Sequence, residues 1–283
     1  MGKWALSSSR DYPLPSEKQP SPKLLIQIAD QLESALIEAG EAILARYRLP
    51  EHAIQTKADL TPVTDADIAS HDLLCDALAR VTPDWPVVSE EDGAPADQDP
   101  VLSTTNSTPY WLLDPLDGTK EFIARTGEFS INLGLVIDAD AFFGLLYGPL
   151  DHVLYRGGKN LPAQRRQQDS AWERISCRRR PSSGGVVIAS RRSAATPHDA
   201  NFERREYLGS ALKFARIAEG SADVYLRRGP TMEWDTCAGQ AIVEAAGGSL
   251  CDLSGSPLRY GKINRRNPGF IAAGLSNTQW SAG

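Results

Sequence analysis

Sulfur and imidazole are scarce in this chain: 283 residues hold four cysteines, four histidines and two methionines. Cys75, Cys177, Cys237 and Cys251 form no C-x-x-C pair and no dense cluster, and the histidines are scattered. That pattern speaks against a disulfide framework, a thiolate zinc site and an imidazole-based metal centre. It agrees with reduced thiols in a cytoplasm. Long apolar runs are missing too. No uncharged stretch approaches the roughly 18 residues needed to span a bilayer, and the richest candidate, 131–148, is interrupted by Asp138 and Asp140. The N-terminus has no apolar core of a signal peptide. Residues 1–22, with Pro13, Pro15, Pro20 and Pro22 among polar neighbours, read as a loose tail. No internal repeat is apparent.

What remains is an ordinary globular composition, 41% hydrophobic and 23% charged, with enough apolar residues for one large domain or two. The net charge of −6 is unevenly spread. Between Leu161 and Pro230 there are 14 Lys and Arg against 7 Asp and Glu, a balance of +7, which leaves −13 for the rest. Arginine doublets at 165–166, 191–192, 204–205 and 227–228 and a triplet at 178–180 read either as solvated surface or as a basic half that receives a multiply phosphorylated ligand. The acidic total and the lack of a recognition motif argue against nucleic acid.

Periodicity predicts an amphipathic helix over 23–47, with Leu24, Leu25, Ile28, Leu32, Leu36, Ala39 and Ile43 on one stripe. Thr61-Pro62-Val63-Thr64 opens a second helix to about Ala79, and 86–89 reads as a short buried strand ending in Glu90-Glu91-Asp92. A polar loop over 93–108 leads to a strand over 111–114, followed by an antiparallel meander over 129–136, 141–147 and 152–155. Residues 161–180 look like a polar, basic connection and the best domain boundary, which divides the chain into the tail, 23–164 and 165–283. Beyond it, a strand over 185–190, a helix over 211–219, a strand over 222–226 and a helix over 235–246, stopped by Gly247-Gly248, complete a layered mixture of α and β.

The richest stretch is Tyr110-Trp-Leu-Leu-Asp-Pro-Leu-Asp-Gly-Thr-Lys-Glu121. An apolar run delivers Asp114 to a strand end, Pro115 holds it extended, Asp117 follows, and Gly118-Thr119 turns the chain. Two carboxylates on a rigid turn suit a hard cation, and the glycine and threonine beside them suit a phosphate. Glu90-Glu91 and Asp235 also place acids at element ends. Each has a plain alternative: exposed acids for Glu90-Glu91, a helix N-cap for Asp235, a capping box for Thr64 and Asp67, and a turn hydroxyl for Thr119. Phosphomonoester hydrolysis would use all of them at once, since two divalent cations roughly 4 Å apart supply a nucleophile and neutralise the phosphoryl oxygens.

Taken together, Ser89-Glu90-Glu91-Asp92, residues 111–122 and Glu233-Trp234-Asp235-Thr236-Cys237-Ala238-Gly239 resemble the three signatures of the inositol-monophosphatase-like, lithium-sensitive phosphatases. The resemblance spans about 23–270. Lys120-Glu121-Phe122, Lys57-Ala58-Asp59, the run from Pro62 to Asp67, Gly209-Ser210-Ala211-Leu212-Lys213-Phe214, Ala222-Asp223-Val224-Tyr225-Leu226-Arg227 and Asn267-Pro268-Gly269-Phe270 resemble the 3′(2′),5′-bisphosphate nucleotidases among them. Residues 190–200 match nothing that assigns a base-stacking side chain.

The resemblance implies a layered α/β/α/β/α sandwich and two or three Mg²⁺ per site. Glu90, Asp114 and the Leu116 carbonyl would hold one ion, and Asp114, Asp117 and Asp235 another. Asp67 and Thr119, with Glu90 nearby, would activate water. Gly118 and Thr119 would cradle the scissile phosphate, while Ser210, Lys213 and Arg227 would meet the rest of the substrate; Lys213 and Arg227 read equally as surface cations. The implied reaction converts adenosine 3′,5′-bisphosphate to AMP, with adenylyl sulfate 3′-phosphate as a second substrate in sulfur assimilation, and with inhibition by lithium or sodium. An inositol monophosphatase or sugar bisphosphatase, a non-catalytic nucleotide sensor and a basic-patch polyanion binder are the alternatives. A small molecule is the expected partner, in the cytoplasm or on the inner face of the cell membrane, for a monomer or homodimer.

Overall fold

A computed structural model describes residues 19–49, 54–56, 62–92, 108–179, 181, 184–191 and 202–275. The expected loop over 93–107, Lys57-Ala58-Asp59, most of the tail and most of 190–200 lie outside the described residues.

Helix α1 (Pro22–Tyr47) starts where Ser21 caps it, its Oγ accepting from the Leu24 N–H at 3.2 Å, with Pro22 at the first helical position. Leu25, Ile28, Leu32, Leu36, Ala39 and Ile43 are buried along the expected stripe. A short antiparallel ribbon, β1 (Ile54–Thr56) and β2 (Pro62–Thr64), leads into α2 (Asp65–Val81). Thr64 and Asp67 form a full capping box at its start.

Strands β3 (Val87–Ser89) and β4 (Tyr110–Asp117) pair in parallel. After the one-turn helix α3 (Thr119–Ile123), β5 (Ser130–Ile137), β6 (Asp140–Gly148), β7 (Val153–Gly158), β8 (Leu161–Gln167) and β9 (Glu173–Arg174) continue antiparallel, so the sheet runs β3-β4-β5-β6-β7-β8-β9. The expected connection over 161–180 is thus corrected. Its first half is β8 and β9, and the expected boundary at 164/165 falls inside β8. Charged side chains hid these strands, which lie at the sheet edge and next to it: Arg166 pairs with Glu33 of α1, and the Arg156 guanidinium lies 3.9 Å from the centre of the Trp172 ring.

The second sheet has order β11-β10-β12-β16-β14, from β10 (Gly185–Ala189), β11 (Phe202–Tyr207), β12 (Val224–Arg227), β14 (Ser249–Asp252) and β16 (Phe270–Ala273). Helix α4 (Leu212–Ala218) precedes β12. Strand β13 (Thr231–Met232), helix α5 (Cys237–Ala245) and strand β15 (Arg266–Asn267) complete the chain order, β13 and β15 forming a small ribbon. Strand β11 escapes sequence reading because Phe202-Glu-Arg-Arg-Glu-Tyr207 is an edge strand with little apolar alternation.

The layers follow from which faces are apolar. Leu25, Leu32 and Leu36 of α1 and Leu74 and Leu78 of α2 pack on Trp111, Leu113, Leu133 and Leu145 of the first sheet. On the other side, Phe214, Ile217 and Ile242 of α4 and α5 join Ile188, Tyr225, Phe270 and Leu146, so these helices lie between the sheets. Close approach is built in: a Cβ on Gly144 would come 2.4 Å from the Ala238 oxygen, and one on Gly134 would come 2.6 Å from the Cys237 Cβ. The start of α5 is thereby pressed onto β5 and β6. Among the described residues no helix covers the outer face of the second sheet, where Val224, Leu226, Ile271 and Ala273 pack with Phe202 and Leu253.

Candidate active site

The site forms where β3, β4 and the turn before α5 converge. In the pairing of β4 with β5, Asp114 faces Asn132 and Asp117 faces Ser130, so three steps on β4 match two on β5. In a regular strand, residues three apart point to opposite faces. The extra residue cancels that alternation, and both carboxylates line one cleft. Pro115 suits this irregularity, since it has no N–H to lose, and its carbonyl accepts from the Ser70 hydroxyl of α2 at 2.8 Å. The parallel register of Ser89 with Leu113, extended by the Glu90 N–H to the Leu113 oxygen at 3.1 Å, brings Glu90 beside Asp114. Asp235 arrives from the turn before α5. Its Oδ2 accepts from the Met232 N–H at 2.8 Å, so it faces back along the chain and does not cap the helix, whose N-cap is Thr236.

One carboxylate oxygen from each of Glu90, Asp114 and Asp235 falls within 4.8 Å of the others. Asp114 Oδ1 accepts from the Leu116 N–H at 3.2 Å, whereas Oδ2 is buried with no hydrogen-bond partner. Burial, then Glu90, Asp117 and Asp235 raise the Asp114 pKa well above the usual carboxylate range. Burial, then Asp117 and Glu90, do the same to Asp235. Asp117 is pushed up to about 6 by burial, against the opposing charge of Lys213 and hydrogen bonds from Asn132 Nδ2 at 3.1 Å and the Ala211 N–H. An orphaned carboxylate oxygen among like charges costs free energy unless a cation joins it. The donors are hard oxygens, the set a small divalent cation prefers.

Thr119 opens α3 behind Gly118, whose φ of 94° and 2.9 Å approach of a would-be Cβ to the Glu128 oxygen call for glycine. The Thr119 hydroxyl lies 3.0 Å from Asp67 Oδ1 and 3.2 Å from the Leu116 oxygen. Asp67 Oδ2 meanwhile accepts from the Thr64 N–H at 2.8 Å and the Thr64 hydroxyl at 2.6 Å. Burial outweighs these bonds and raises the Asp67 pKa. The capping role and the link to Thr119 therefore coexist in one carboxylate, one oxygen for each.

The cleft has a volume of about 380 Å³. Of the residues singled out from sequence, Glu90, Asp114, Leu116, Asp117, Gly118, Thr119, Ser210, Lys213, Arg227 and Asp235 line it; Asp67 stands behind Thr119. Lys213 is buried, its ammonium donating to the Leu208 oxygen at 3.2 Å and the Ser210 oxygen, 5.1 Å from the Tyr225 ring. Burial lowers its pKa to about 8, against the pull of Asp117. Arg227 Nε is buried without a protein partner. The remaining arginine clusters fit the solvated or paired reading better: Arg165 bonds Glu219 at 3.1 Å, Arg178 bonds Asp223 at 2.7 Å, and Arg191 and Arg204 pair with Glu128 and Glu206.

Sequence reading passed over Asn132, Tyr225, Phe270, Ser190 and Glu128. Tyr225 was findable: it lies two residues before Arg227 on β12, hence on the same face, and Phe270 is the cross-strand partner of Arg227. Glu128, which accepts from the Gly209 N–H at 2.9 Å and from Arg191 Nε at 2.7 Å, had no such signal.

The sequence profile of the inositol monophosphatase family matches residues 25–281. The 3′(2′),5′-bisphosphate nucleotidase CysQ of Escherichia coli K12 is 39% identical over 256 residues, covering 85% of this chain and 97% of its own. The protein of that name from Buchnera aphidicola is 32% identical over 264 residues, covering 88% and 94%. Among solved structures, CysQ from Bacteroides thetaiotaomicron, a bacterial member of the inositol monophosphatase family, superimposes with a TM-score of 0.72 at 34% identity over 88% of this chain and 97% of its own. An inositol monophosphatase from Anabaena shares the fold, with a TM-score of 0.66 at 23% identity over 89% and 91%. The chain belongs to the inositol monophosphatase family.

Proposed function

We propose that the chain is a Mg²⁺-dependent phosphomonoesterase that removes the 3′-phosphate of adenosine 3′,5′-bisphosphate to leave AMP, and acts likewise on adenylyl sulfate 3′-phosphate. The observation that carries the reading is one cleft lined by both signs of charge. Glu90, Asp114 and Asp235 each bring a carboxylate oxygen within 4.8 Å of the others, and Lys213 and Arg227 line the same cleft. A substrate with two phosphates needs a cation-loaded pole for the ester to be cleaved and a fixed positive pole for the other phosphate. The names of the relatives match that demand.

In this reading Glu90, Asp114, Asp117, Asp235 and the Leu116 carbonyl hold the cations. Two divalent ions there would supply charge neutralisation for the phosphoryl oxygens and a nucleophile at neutral pH. Gly118 and Thr119 cradle the scissile group. The Thr119 hydroxyl passes a proton to Asp67 as it takes one from water, and the raised pKa of Asp67 makes that carboxylate a competent acceptor. Lys213 spends two donors on carbonyls and turns a third toward the distal phosphate, with Arg227 beside it and Tyr225 and Phe270 as the apolar wall for the nucleoside.

Kinetics with Mg²⁺ on adenosine 3′,5′-bisphosphate, inositol 1-phosphate and fructose 1,6-bisphosphate, with and without Li⁺, test the reading. The nucleotide is expected to show the highest kcat/KM, with loss of turnover in Li⁺. A clear preference for inositol phosphate would sink it.

A further inference from the structure

Two residues before Asp235, Glu233 has no exposed surface. It does not line the cleft. A buried carboxylate needs partners for its oxygens, and Glu233 has three hydrogen bonds and an ion pair. Oε2 accepts from the Gly261 N–H at 3.1 Å and Arg265 Nη1 at 3.2 Å, Oε1 accepts from the Lys262 N–H at 3.0 Å, and Lys262 Nζ lies 2.7 Å from Oε1 as an ion pair. Its main chain is engaged as fully. The N–H donates to the Arg265 oxygen at 2.7 Å, and the carbonyl accepts from the Thr236 N–H at 3.2 Å, the Cys237 N–H at 3.1 Å and the Thr236 hydroxyl at 3.2 Å.

The partner is built for this contact. Arg265 is 5% exposed and sits in the left-handed region at φ 53°. Its guanidinium lies 5.5 Å over the Tyr110 ring and 3.4 Å from the Tyr110 hydroxyl. Tyr110 is the first residue of β4, the strand that carries Asp114 and Asp117. The chain of contacts therefore runs from β4 through Arg265 and Glu233 to the turn holding Asp235. A buried ion pair adds little net stability over an apolar replacement of the same shape, but it sets geometry.

We propose that Glu233, clamped by Arg265 and Lys262, is a positioning residue that fixes Asp235 against Asp114 and so sets the cation affinity of the cleft. The proposal rests on the reading of Asp235 as a cation ligand. Its test is direct Mn²⁺ binding, followed by the electron paramagnetic resonance of the free ion, well below each variant's melting temperature. Glu233→Gln is expected to weaken Mn²⁺ binding about tenfold or more, the scale for residues that orient metal ligands, with Arg265→Lys and Lys262→Met shifting it the same way. Leu32→Ala in the α1 core is the stability control and should leave affinity within about twofold of the parent, however far its melting temperature falls, because Leu32 is a core residue of α1 that does not line the cleft. Wild-type Mn²⁺ affinity in Glu233→Gln, with Asp235→Asn binding poorly, overturns the clamp and leaves the cation site standing. Wild-type affinity in Asp235→Asn overturns the cation assignment itself. If Glu233→Gln does not accumulate, Arg265→Lys and Lys262→Met decide on the same scale, since both loosen the clamp while retaining Glu233 itself.

Discussion

Asp117 receives hydrogen bonds from Asn132 and the Ala211 N–H, yet its pKa rises from the ordinary 3.8 to about 6 because burial dominates. Protonation therefore favours the folded state when no cation is bound. Between those two values the native protein holds more protons than the unfolded chain, so its stability should fall as pH rises through that window. Denaturant melts in EDTA from pH 4 to pH 7 check the sign: a midpoint that climbs with pH contradicts it. Asp117→Asn should lower kcat by at least about 10²-fold, as loss of one preorganised charge does at other centres. Near-normal turnover in that variant would refute its place among the cation ligands. Arg227→Ala should raise KM for adenosine 3′,5′-bisphosphate about tenfold or more, the size of a lost charge-assisted bond. KM for inositol 1-phosphate, which has no second phosphate, should stay unchanged; an equal rise for both substrates places Arg227 at the scissile group instead.

At the scale of elements, α5 deserves the closest reading. It brings Asp235 to the cleft only because Gly134 and Gly144 let Cys237 and Ala238 touch the first sheet. Gly144→Ala should cost about 1–3 kcal/mol or more, as for other overpacked core sites, and a thermal melt with calorimetry measures it. An unchanged melting temperature means that α5 can slide, and that its seat on the sheet is not rigid. Elements whose own side chains decide their structure were legible in the sequence. The stripe on α1, the capping box at Thr64 and the apolar runs of β4, β5 and β6 all appear close to where periodicity puts them. Elements decided by neighbours were not. Strands β9 and β11 are polar edges and β8 is the polar strand next to one, all ordered by the strands they pair with, and α3 is a single turn forced by Gly118. The carboxylates of the site were visible because each stands at an element end. The residues beside them, Asn132 on Asp117 and Glu233 of the proposed clamp, look like any polar residue until the fold brings their partners near.

Across the whole molecule the charge asymmetry resolves into two kinds of arginine. Arg165, Arg166, Arg178, Arg191 and Arg204 neutralise carboxylates of the same chain, while Arg227 faces the cleft. Substrate binding should then depend on salt through a few charges and not through the net +7 of the basic half. The cation, by contrast, should act on the fold as a whole. A ligand that binds only the native state at a hundredfold excess over its Kd adds about 2.7 kcal/mol. Mg²⁺ should accordingly raise Tm by about 5 °C or more over EDTA, and a calorimetric scan with no such difference would argue that the acidic cluster is not a cation site. No helix among the described residues is long and apolar enough to cross a membrane.

The three converging carboxylates come from β3's exit, from β4 and from the turn before α5, so Glu90 and Asp235 are separated by more than half of the chain. No local segment can assemble that arrangement. Contacts so distant in sequence close late in folding, and a chain emerging from the ribosome would have to extend past Asp235 and seat α5 on the first sheet before the three acids could converge. Cation capture thus reports on the last event of folding: in a refolding time course, tight Mn²⁺ uptake should lag the recovery of far-ultraviolet circular dichroism.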